Sequence, residues 1–454
     1  MKNLLVVLGF TSLFFGCKKE VLDLDPISEI GSNEFYSTPE EVELATIAIY
    51  DGLQNVPLRE FAITEMRSDN TRTKASEGDW AQFESFSITP TNQQVAIYWT
   101  VNYNVIFRAN RVIENLDVVP SGSFRDQLEG EAKFSRALAH FNLVRAYGDI
   151  PIIDKVIGIT ESEFFERDPV DLVLDFITAD LQDAAELLPP KGALEFGRAT
   201  SGAAKGLLAK VFLNRANYSQ AEMLLSSILS SGEYSLEDDY RDVFYNEGND
   251  EILFAIPYLN DDINESQDFS FEMTAGGVRS GLNYLTNDFL ARMNPQDSVR
   301  NGVLQNPVNF LEVGKYLSSS ANARLCGNDW IVLRLADIYL LYVEAKMAGQ
   351  LKTQNLDAIA AFNAVRQRVR LSTLATDGSA EITLDMLLNE RRFELAFENH
   401  RLHDLIRTGQ ALSVLGNFAA TEGYNFTSTD LLLPIPQREM NVSGGRLVQN
   451  PGYN

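Results

Sequence analysis

Apolar residues along most of the chain recur with the period of an α-helix. In residues 131–147 they follow the spacing i, i+3, i+4, i+7 and i+10, which places them on one face of a helix. These apolar positions are Phe134, Ala137, Leu138, Phe141 and Val144. Gly148 and Pro151 then end the predicted helix. Residues 99–116 predict its antiparallel partner, and a turn at 120–123 joins the two helices.

A second helix pair is predicted just beyond residue 200. Its first helix, 201–215, is rich in small residues, so a neighbouring helix can approach it closely. Ser219 and Glu222 form a capping box that starts the next helix. This helix–turn–helix unit resembles a tetratricopeptide repeat. A comparable unit recurs at 333–347 and 356–369, and further helices are predicted at 171–188 and 384–398.

Two segments lack this helical period. Residues 232–327 contain a predicted short strand at 252–256 and several polar runs, and residues 68–92 have the same irregular character. Long irregular segments in a compact protein are usually functional, because a rigid scaffold presents loops to a ligand. We therefore expect a mostly α-helical scaffold with long irregular insertions and a few short strands.

The N-terminus has the pattern of an export signal. Lys2 is followed by an apolar run at 4–15 and by Gly16, and the run is too short to span a bilayer. Because Cys17 comes next, the pattern is similar to a bacterial lipoprotein signal, in which that cysteine is acylated. An ordinary cleaved signal with an accidental cysteine is the alternative. Residues 1–16 would be removed and 17–31 would form a polar, lipidated tether.

The balance of acidic and basic residues limits which binding partners are expected. The chain has 63 Asp and Glu against 38 Lys and Arg, a formal charge of −25. Such a body is repelled by nucleic acid and by anionic membrane surfaces, so we expect no nucleic-acid partner. The only other cysteine is Cys326, so lipid on Cys17 leaves no intramolecular disulfide.

The sequence contains few candidate catalytic or metal-binding motifs. The chain has three histidines, and His400 and His403 are spaced i, i+3 without a convincing third metal ligand. A calcium-like run begins at Asp262, but Gln267 stands where the sharp turn needs glycine. We expect no enzyme activity, no metal and no obligatory cofactor; a non-standard structural calcium site stays open. The charged run at 390–405 predicts an ion network that fixes the scaffold.

The residue types in the irregular segments favour a ligand-binding surface over a catalytic site. Sugars present flat faces that stack on aromatic rings, and hydroxyl groups that planar polar side chains grip. The two irregular segments supply both kinds of side chain, together with Trp330 beyond the second. The predicted ligand-binding residues are Asp69, Asn70, Trp80, Gln82, Phe83, Asn283, Tyr284 and Trp330.

Five short motifs, in this order along the chain, resemble the SusD/RagB family of nutrient-uptake outer-membrane lipoproteins of Bacteroidetes. They lie at 131–151, at 197–205, at 334–345, at 389–409, and at 433–436 with 449–453. The resemblance covers essentially the whole chain. It implies a mostly α-helical body with about four tetratricopeptide-like helix pairs. The sequence is then divided into 32–231, an insertion at 232–328, and 329–454, with 32–454 packing as one globular unit.

The resemblance also implies a function. Such a protein is lipid-anchored in the cell outer membrane, on its surface, where it captures an oligosaccharide and passes it to a SusC-like TonB-dependent transporter. Peptide binding for uptake and, as a weaker alternative, surface glycoside hydrolysis are the other functions considered. The motifs are scaffold residues, so the ligand-binding residues above are an inference from side-chain chemistry and not from the family.

Overall fold

The structure, a computed structural model, describes residues 35–73, 78–158, 161–267, 269, 283–318, 320, 322 and 324–453. The predicted signal and tether, including Cys17, lie outside these residues. The helices within the described part are α1 Pro39–Gln54, α2 Pro57–Thr64, α3 Ala81–Glu84, α4 Gln93–Glu114, α5 Ser123–Tyr147, α6 Val170–Leu187, α7 Ser201–Asn214, α8 Tyr218–Leu229, α9 Asp242–Tyr245, α10 Asn287–Arg292, α11 Ser298–Leu304, α12 Leu335–Met347, α13 Leu356–Arg368, α14 Leu384–Glu394, α15 Arg401–Arg407, α16 Ala411–Glu422 and α17 Gln437–Val442. The strands are β1 Thr71–Arg72, β2 Ile252–Ile256, β3 Tyr284–Leu285, β4 Trp330–Arg334, β5 Lys352–Thr353 and β6 Ile382–Thr383.

Helix ends follow local side-chain chemistry. Thr38 and Glu41 form a capping box that starts α1, and Asn92 accepts two backbone N–H groups at the start of α4. Gly148 ends α5 with a φ of 73°, as its place after the apolar stripe predicts. The capping box predicted at Ser219 is wrong: Asn217 caps α8 instead, because its side chain accepts the Gln220 N–H.

The long helices stack one against the next. Helix α4 packs on α5, α5 on α6, α6 on α7 and α7 on α8, and α8 then packs on α12, which packs on α13. Gly206 of α7 allows close approach, since a Cβ there would lie 3.3 Å from Ile338 of α12. The predicted mostly α-helical, tetratricopeptide-like scaffold is confirmed.

The strands are short and pair in twos. Strand β2 pairs antiparallel with β4, β5 with β6, and β1 with β3. A contiguous cluster of buried apolar residues extends from Val42 near the start of the described chain to Tyr453 near its end. The internal boundaries at 231 and 328 stay predictions.

The charged run near the C-terminus lies inside the scaffold and forms the predicted ion network. Arg334 at the end of β4 contacts Glu251, Glu394 and Glu398, each at 2.7–2.8 Å. All four side chains are at most 1% exposed. A buried carboxylate is tolerated only when it is paired, so these contacts fix how α14 sits against the β2–β4 pair. The predicted network is confirmed.

Among the described residues, no helix is long and apolar enough to cross a membrane.

Candidate functional site

Pairing of β1 with β3 brings the two irregular segments together. Arg72 lies opposite Tyr284, and Thr71 opposite Leu285. The Thr286 hydroxyl donates to the backbone carbonyl of Asp69 at 2.7 Å. The first segment and the middle insertion therefore form one surface, although they are more than 200 residues apart.

A polar cleft with a volume of about 840 Å³ lies beside this ribbon. Its walls come from α10, α14 and α16, and α15 contributes to its floor. Amide side chains reach it from three of these helices and from the loop before α16. They are Asn287, Asn389, Gln410 and Asn417.

Local sequence pattern explains why these amides face outward. In α14, Leu387 and Leu388 are buried, whereas Asp385 and Asn389, four residues apart, are exposed. In α16, Leu415 and Ala419 are buried, whereas Asn417 is exposed. Residues spaced by four share one helix face, so Asp385 and Asn389 reach the cleft together, whereas Asn417 reaches it beside the apolar Val414 and Phe418.

Asp69 forms the centre of the cleft floor. Arg401 donates Nε and Nη2 to its two carboxylate oxygens at 2.8 Å each, and Arg392 lies 3.2 Å away. Burial by itself would raise the pKa of the Asp69 carboxyl, but the two arginines outweigh it and hold that pKa well below its usual range. The floor is therefore charged, paired and rigid.

The walls are chemically suited to hydroxyl groups. An amide offers two N–H donors and one carbonyl acceptor, which matches the mixed donors and acceptors of a sugar. The side chains of Asn287, Asn389 and Asn417 make no hydrogen bond to the described part of the chain. They are therefore available to a ligand without breaking a contact within the protein.

Five of the eight predicted ligand-binding residues are buried, at 2% exposure or less. These are Asp69, Asn70, Phe83, Asn283 and Trp330. Trp330 is enclosed by the aromatic rings of Tyr316, stacked at 4.8 Å between ring centroids, and Phe269. Asn70 donates to Glu65 and accepts from Arg392. Their location in the core leaves no open ring or amide for a ligand, so of these we carry forward only Asp69, as part of the cleft floor.

Trp80, Gln82 and Tyr284 remain partly exposed. The side-chain oxygen Oε1 of Gln82 accepts hydrogen bonds from the Asn92 side-chain amide at 3.0 Å and from the Thr89 backbone N–H at 3.1 Å. Gln82 therefore holds the loop that carries Trp80. Tyr284 lies in the ribbon next to the cleft wall formed by α10. Direct contact of these residues with a ligand stays a prediction.

The sequence interpretation missed the amides of the cleft. Gln410 lies in the loop before α16, and the other three amides lie on helices, where the available signal was a polar position opposite the buried apolar residues. That signal alone does not separate a ligand-binding wall from an ordinary solvated face.

Three further cavities in the described part of the chain are smaller than this cleft. A cleft of about 350 Å³ lies beside Tyr258, and one of about 170 Å³ lies beside Asp329, where burial raises the pKa of the carboxyl to about 7. An interior cavity of about 40 Å³ is lined by Glu60, Lys210 and Asn399. It has room for water but not for a sugar.

Metal-binding geometry is not found in the described residues, where no group of three or more His, Cys, Asp or Glu side chains converges. Burial lowers the pKa of both His400 and His403, and Lys210 lies 3.2 Å from His400 Nδ1. At Asp262, a carboxylate oxygen accepts from the Asn264 backbone N–H at 2.8 Å, which forms a local turn.

Comparison with known proteins decides the family. A family model described as the SusD family matches residues 301–453, and another, described as starch-binding and associating with the outer membrane, matches residues 20–213. The chain belongs to the SusD/RagB family. The resemblance drawn from the five motifs is thereby confirmed.

Relatives within the SusD/RagB family match along most of their length. A SusD-like protein of Bacteroides ovatus is 26% identical over 463 residues, covering 89% of this chain and 82% of the relative. SusD-like protein P25 of Formosa agariphila is 26% identical over 522 residues, covering 98% and 97%. A solved structure described as a laminarin binding SusD-like protein has a TM-score of 0.74 at 25% identity, covering 92% of this chain and 100% of that one.

Proposed function

We propose that this protein binds an oligosaccharide in the polar cleft and acts without catalysis. The observation that carries the proposal is the set of free amides on three walls above a fixed, ion-paired floor. Each amide presents donors and acceptors that a sugar hydroxyl satisfies, and a ligand of several units can span walls that lie on separate helices. The laminarin binding relative, at 25% identity, is a further argument for a glycan.

Trp80 and Tyr284 are the proposed stacking residues outside the cleft lining. Both side chains are partly exposed, and an exposed aromatic ring offers a stacking face for the C–H surface of a pyranose. Gln82 supports Trp80 indirectly through the contacts to Asn92 and Thr89.

The proposed place of action is the cell outer membrane, with lipid on Cys17 as the anchor and a SusC-like TonB-dependent transporter as the partner. One matching family model is described as associating with the outer membrane. Acyl chains contribute about 0.8 kcal/mol for each buried CH₂ group, so two or more chains hold a protein stably. A stable complex with the transporter buries more than about 1,000 Å².

Calorimetric titration with separate oligosaccharide and peptide pools tests the ligand class. We expect heat and saturation with at least one oligosaccharide pool, starting from laminari-oligosaccharides, and none with peptides. Saturation with peptides alone would replace the proposal by the peptide alternative. Release of reducing ends at a rate abolished by a single carboxylate substitution would replace it by glycoside hydrolysis.

Gentle solubilisation of the source membrane tests the anchor and the partner. We expect the processed chain, beginning at Cys17, in the membrane fraction and a large barrel protein co-purifying with it. A Cys17→Ser variant serves as the control, because it keeps the folded body but removes the lipid attachment point. A wild-type chain that is soluble, or monomeric in several mild detergents, contradicts this part of the proposal.

A further inference from the structure

We propose that the cleft selects electrically neutral oligosaccharides and discriminates against glycans that carry carboxylate or sulfate groups. This inference rests on the proposed function, because it names the class of oligosaccharide that the same cleft accepts. It follows from which charged groups of the cleft are already paired and which are not.

Every nitrogen of the two floor arginines already has a partner within the protein, and both side chains are buried. Arg401 gives Nε and Nη2 to Asp69, and its Nη1 donates to the Leu388 carbonyl at 3.3 Å. Arg392 gives its three nitrogens to the Asn70 side chain, the Asp69 carbonyl and the Asp288 carboxylate, all within 2.6–2.9 Å. A site built to recognise a carboxylate or sulfate presents an unpaired guanidinium fork, and these two forks are occupied.

The third arginine of the cleft is paired through its Nε alone. Arg292 donates Nε to Asp288 at 2.9 Å, four residues earlier in the same short helix. Asp288 is therefore shared by Arg292 and Arg392, and the Arg292 side chain, which is 63% exposed, keeps its two Nη groups without a partner in the described part of the chain.

Two carboxylates of the cleft, in contrast, are not balanced. Asp385 on α14 and Glu422 at the end of α16 both line the cleft, and neither forms an ion pair within the described part of the chain. The three arginines thus face four carboxylates in the cleft as a whole. The field of Glu422 also reaches Glu84, whose pKa is raised by burial and, in addition, by this second negative charge.

The whole molecule reinforces this local imbalance. A formal charge of −25 repels a polyanionic glycan before it reaches the cleft. A neutral sugar is unaffected by that field, and its hydroxyl groups are satisfied by the uncharged amides Asn287, Asn389 and Asn417.

The test pairs each neutral oligosaccharide with its own anionic derivative. A panel of neutral hexose oligosaccharides, laminarihexaose included, is titrated beside the same compounds oxidised at C6 to uronates. For the neutral members that bind, we expect the oxidised partner to bind about tenfold more weakly or worse, because each close repulsion between like charges costs affinity. The difference in affinity between each neutral ligand and its oxidised partner should become smaller as the salt concentration is raised from about 0.02 M to about 0.5 M, since salt screens repulsion between exposed charges.

Neutralising the unpaired carboxylates locates the effect. In the double variant Asp385→Asn/Glu422→Gln, the ratio of the affinities for the neutral and the oxidised ligand should be several-fold smaller than in the wild type. The matched control is Glu186→Gln/Asp261→Asn, which removes the same formal charge from exposed positions outside the cleft lining and should leave that difference as it is.

Each outcome decides the inference. Equal or tighter binding of an oxidised ligand, or a difference that salt does not change, overturns charge selection while leaving oligosaccharide binding intact. Equal narrowing in the control variant also overturns it, because the net charge and not the cleft would then be responsible. Failure of every oligosaccharide, neutral or oxidised, to bind overturns the proposed function and this inference with it.

Discussion

Arg401 and Asp69 are joined by two parallel hydrogen bonds of 2.8 Å, although they are 332 residues apart in the chain. Asp69 lies in the first irregular segment and Arg401 begins α15, so this pair ties the loop beside β1 to the C-terminal helices. Both residues line the cleft, so its floor is built from segments that are far apart in the sequence.

Replacing Asp69 by Asn should destabilise the fold by about 3 kcal/mol, because it leaves the buried Arg392 and Arg401 without their carboxylate. Urea unfolding at pH 7 measures this change. The pKa of Asp69 is lower in the folded state than in the unfolded state. The carboxylate therefore contributes its full share of the free energy of unfolding above the unfolded pKa of about 3.9. That share is lost as the pH falls through the lower pKa of the folded state. The difference between variant and wild type should therefore shrink only in strong acid.

A surface ion pair provides the matched control for that experiment. Asp117 pairs with Arg125 at 2.9 Å, but its side chain is 95% exposed. Asp117→Asn should change the free energy of unfolding by less than about 1 kcal/mol, as is usual for exposed pairs. Equal effects of the two substitutions would mean that the floor of the cleft is not held by the buried contact.

Trp330 and Trp80 should have different roles, the first in stability and the second in ligand binding. Trp330→Ala should lower stability by about 3–5 kcal/mol, since the ring is 1% exposed and stacks on Tyr316 in the core. Trp80→Ala should weaken oligosaccharide binding by more than about 1 kcal/mol if its ring stacks on the ligand. Thermal unfolding and calorimetry on the folded variants distinguish the two, and wild-type affinity in Trp80→Ala removes that residue from the site.

Glu65 should make stability depend on pH near neutrality. Burial raises the pKa of its carboxyl to about 7, although Asn70 and the Asn399 backbone N–H donate to it. A raised folded pKa contributes stability that is fully present below the unfolded pKa, about 4.3, and is lost as pH rises through about 7.

Glu65→Gln removes this titration. Its stability relative to wild type should therefore improve between pH 4.5 and 8, by up to about 3 kcal/mol at 1.4 kcal/mol for each pKa unit. Chemical unfolding at several pH values measures the difference. A constant difference over that range would show that the Glu65 pKa is not raised.

Gly314 should tolerate no side chain. A Cβ there would lie 2.4 Å from the Gln305 carbonyl oxygen, in the hairpin whose Glu312 bridges Tyr284. Gly314→Ala should cost about 1–3 kcal/mol through overpacking against backbone. Gly416→Ala is the opposite case: it lies inside α16 with nothing within 4 Å of the new Cβ, so it should stabilise the helix by up to about 1 kcal/mol. Thermal melts of both variants check the contrast.

The helices could be predicted from the sequence because each buries one apolar face. Residues 201–215 predicted α7, found at Ser201–Asn214, and residues 252–256 predicted β2 without error. The start of α8 was missed because Ser219 and Asn217 are both competent caps, and only the backbone geometry decides between them.

The lining of the cleft could be predicted only in part, since Asp69 alone of its residues was among the predicted ligand-binding residues. The aromatic and amide composition of 68–92 predicted a binding surface that stays a prediction, whereas Trp330 and Phe83 lie in the core because of packing that a one-dimensional pattern does not reveal. Conversely, Asn389 and Asn417 each looked like one more solvated helix position. They line one cleft because α14 and α16 face each other across it, a relationship that depends on distant contacts such as Arg401 with Asp69.

The affinity of an Asn389→Ala/Asn417→Ala double variant for the best-binding oligosaccharide tests the central claim most directly. Two lost hydrogen-bonding amides should weaken binding about tenfold or more, at roughly 1 kcal/mol each. The control Gln220→Ala, an exposed amide on α8 away from the cleft lining, should bind as wild type does. Wild-type affinity in the double variant, with its fold intact, would contradict the claim that this cleft holds the ligand.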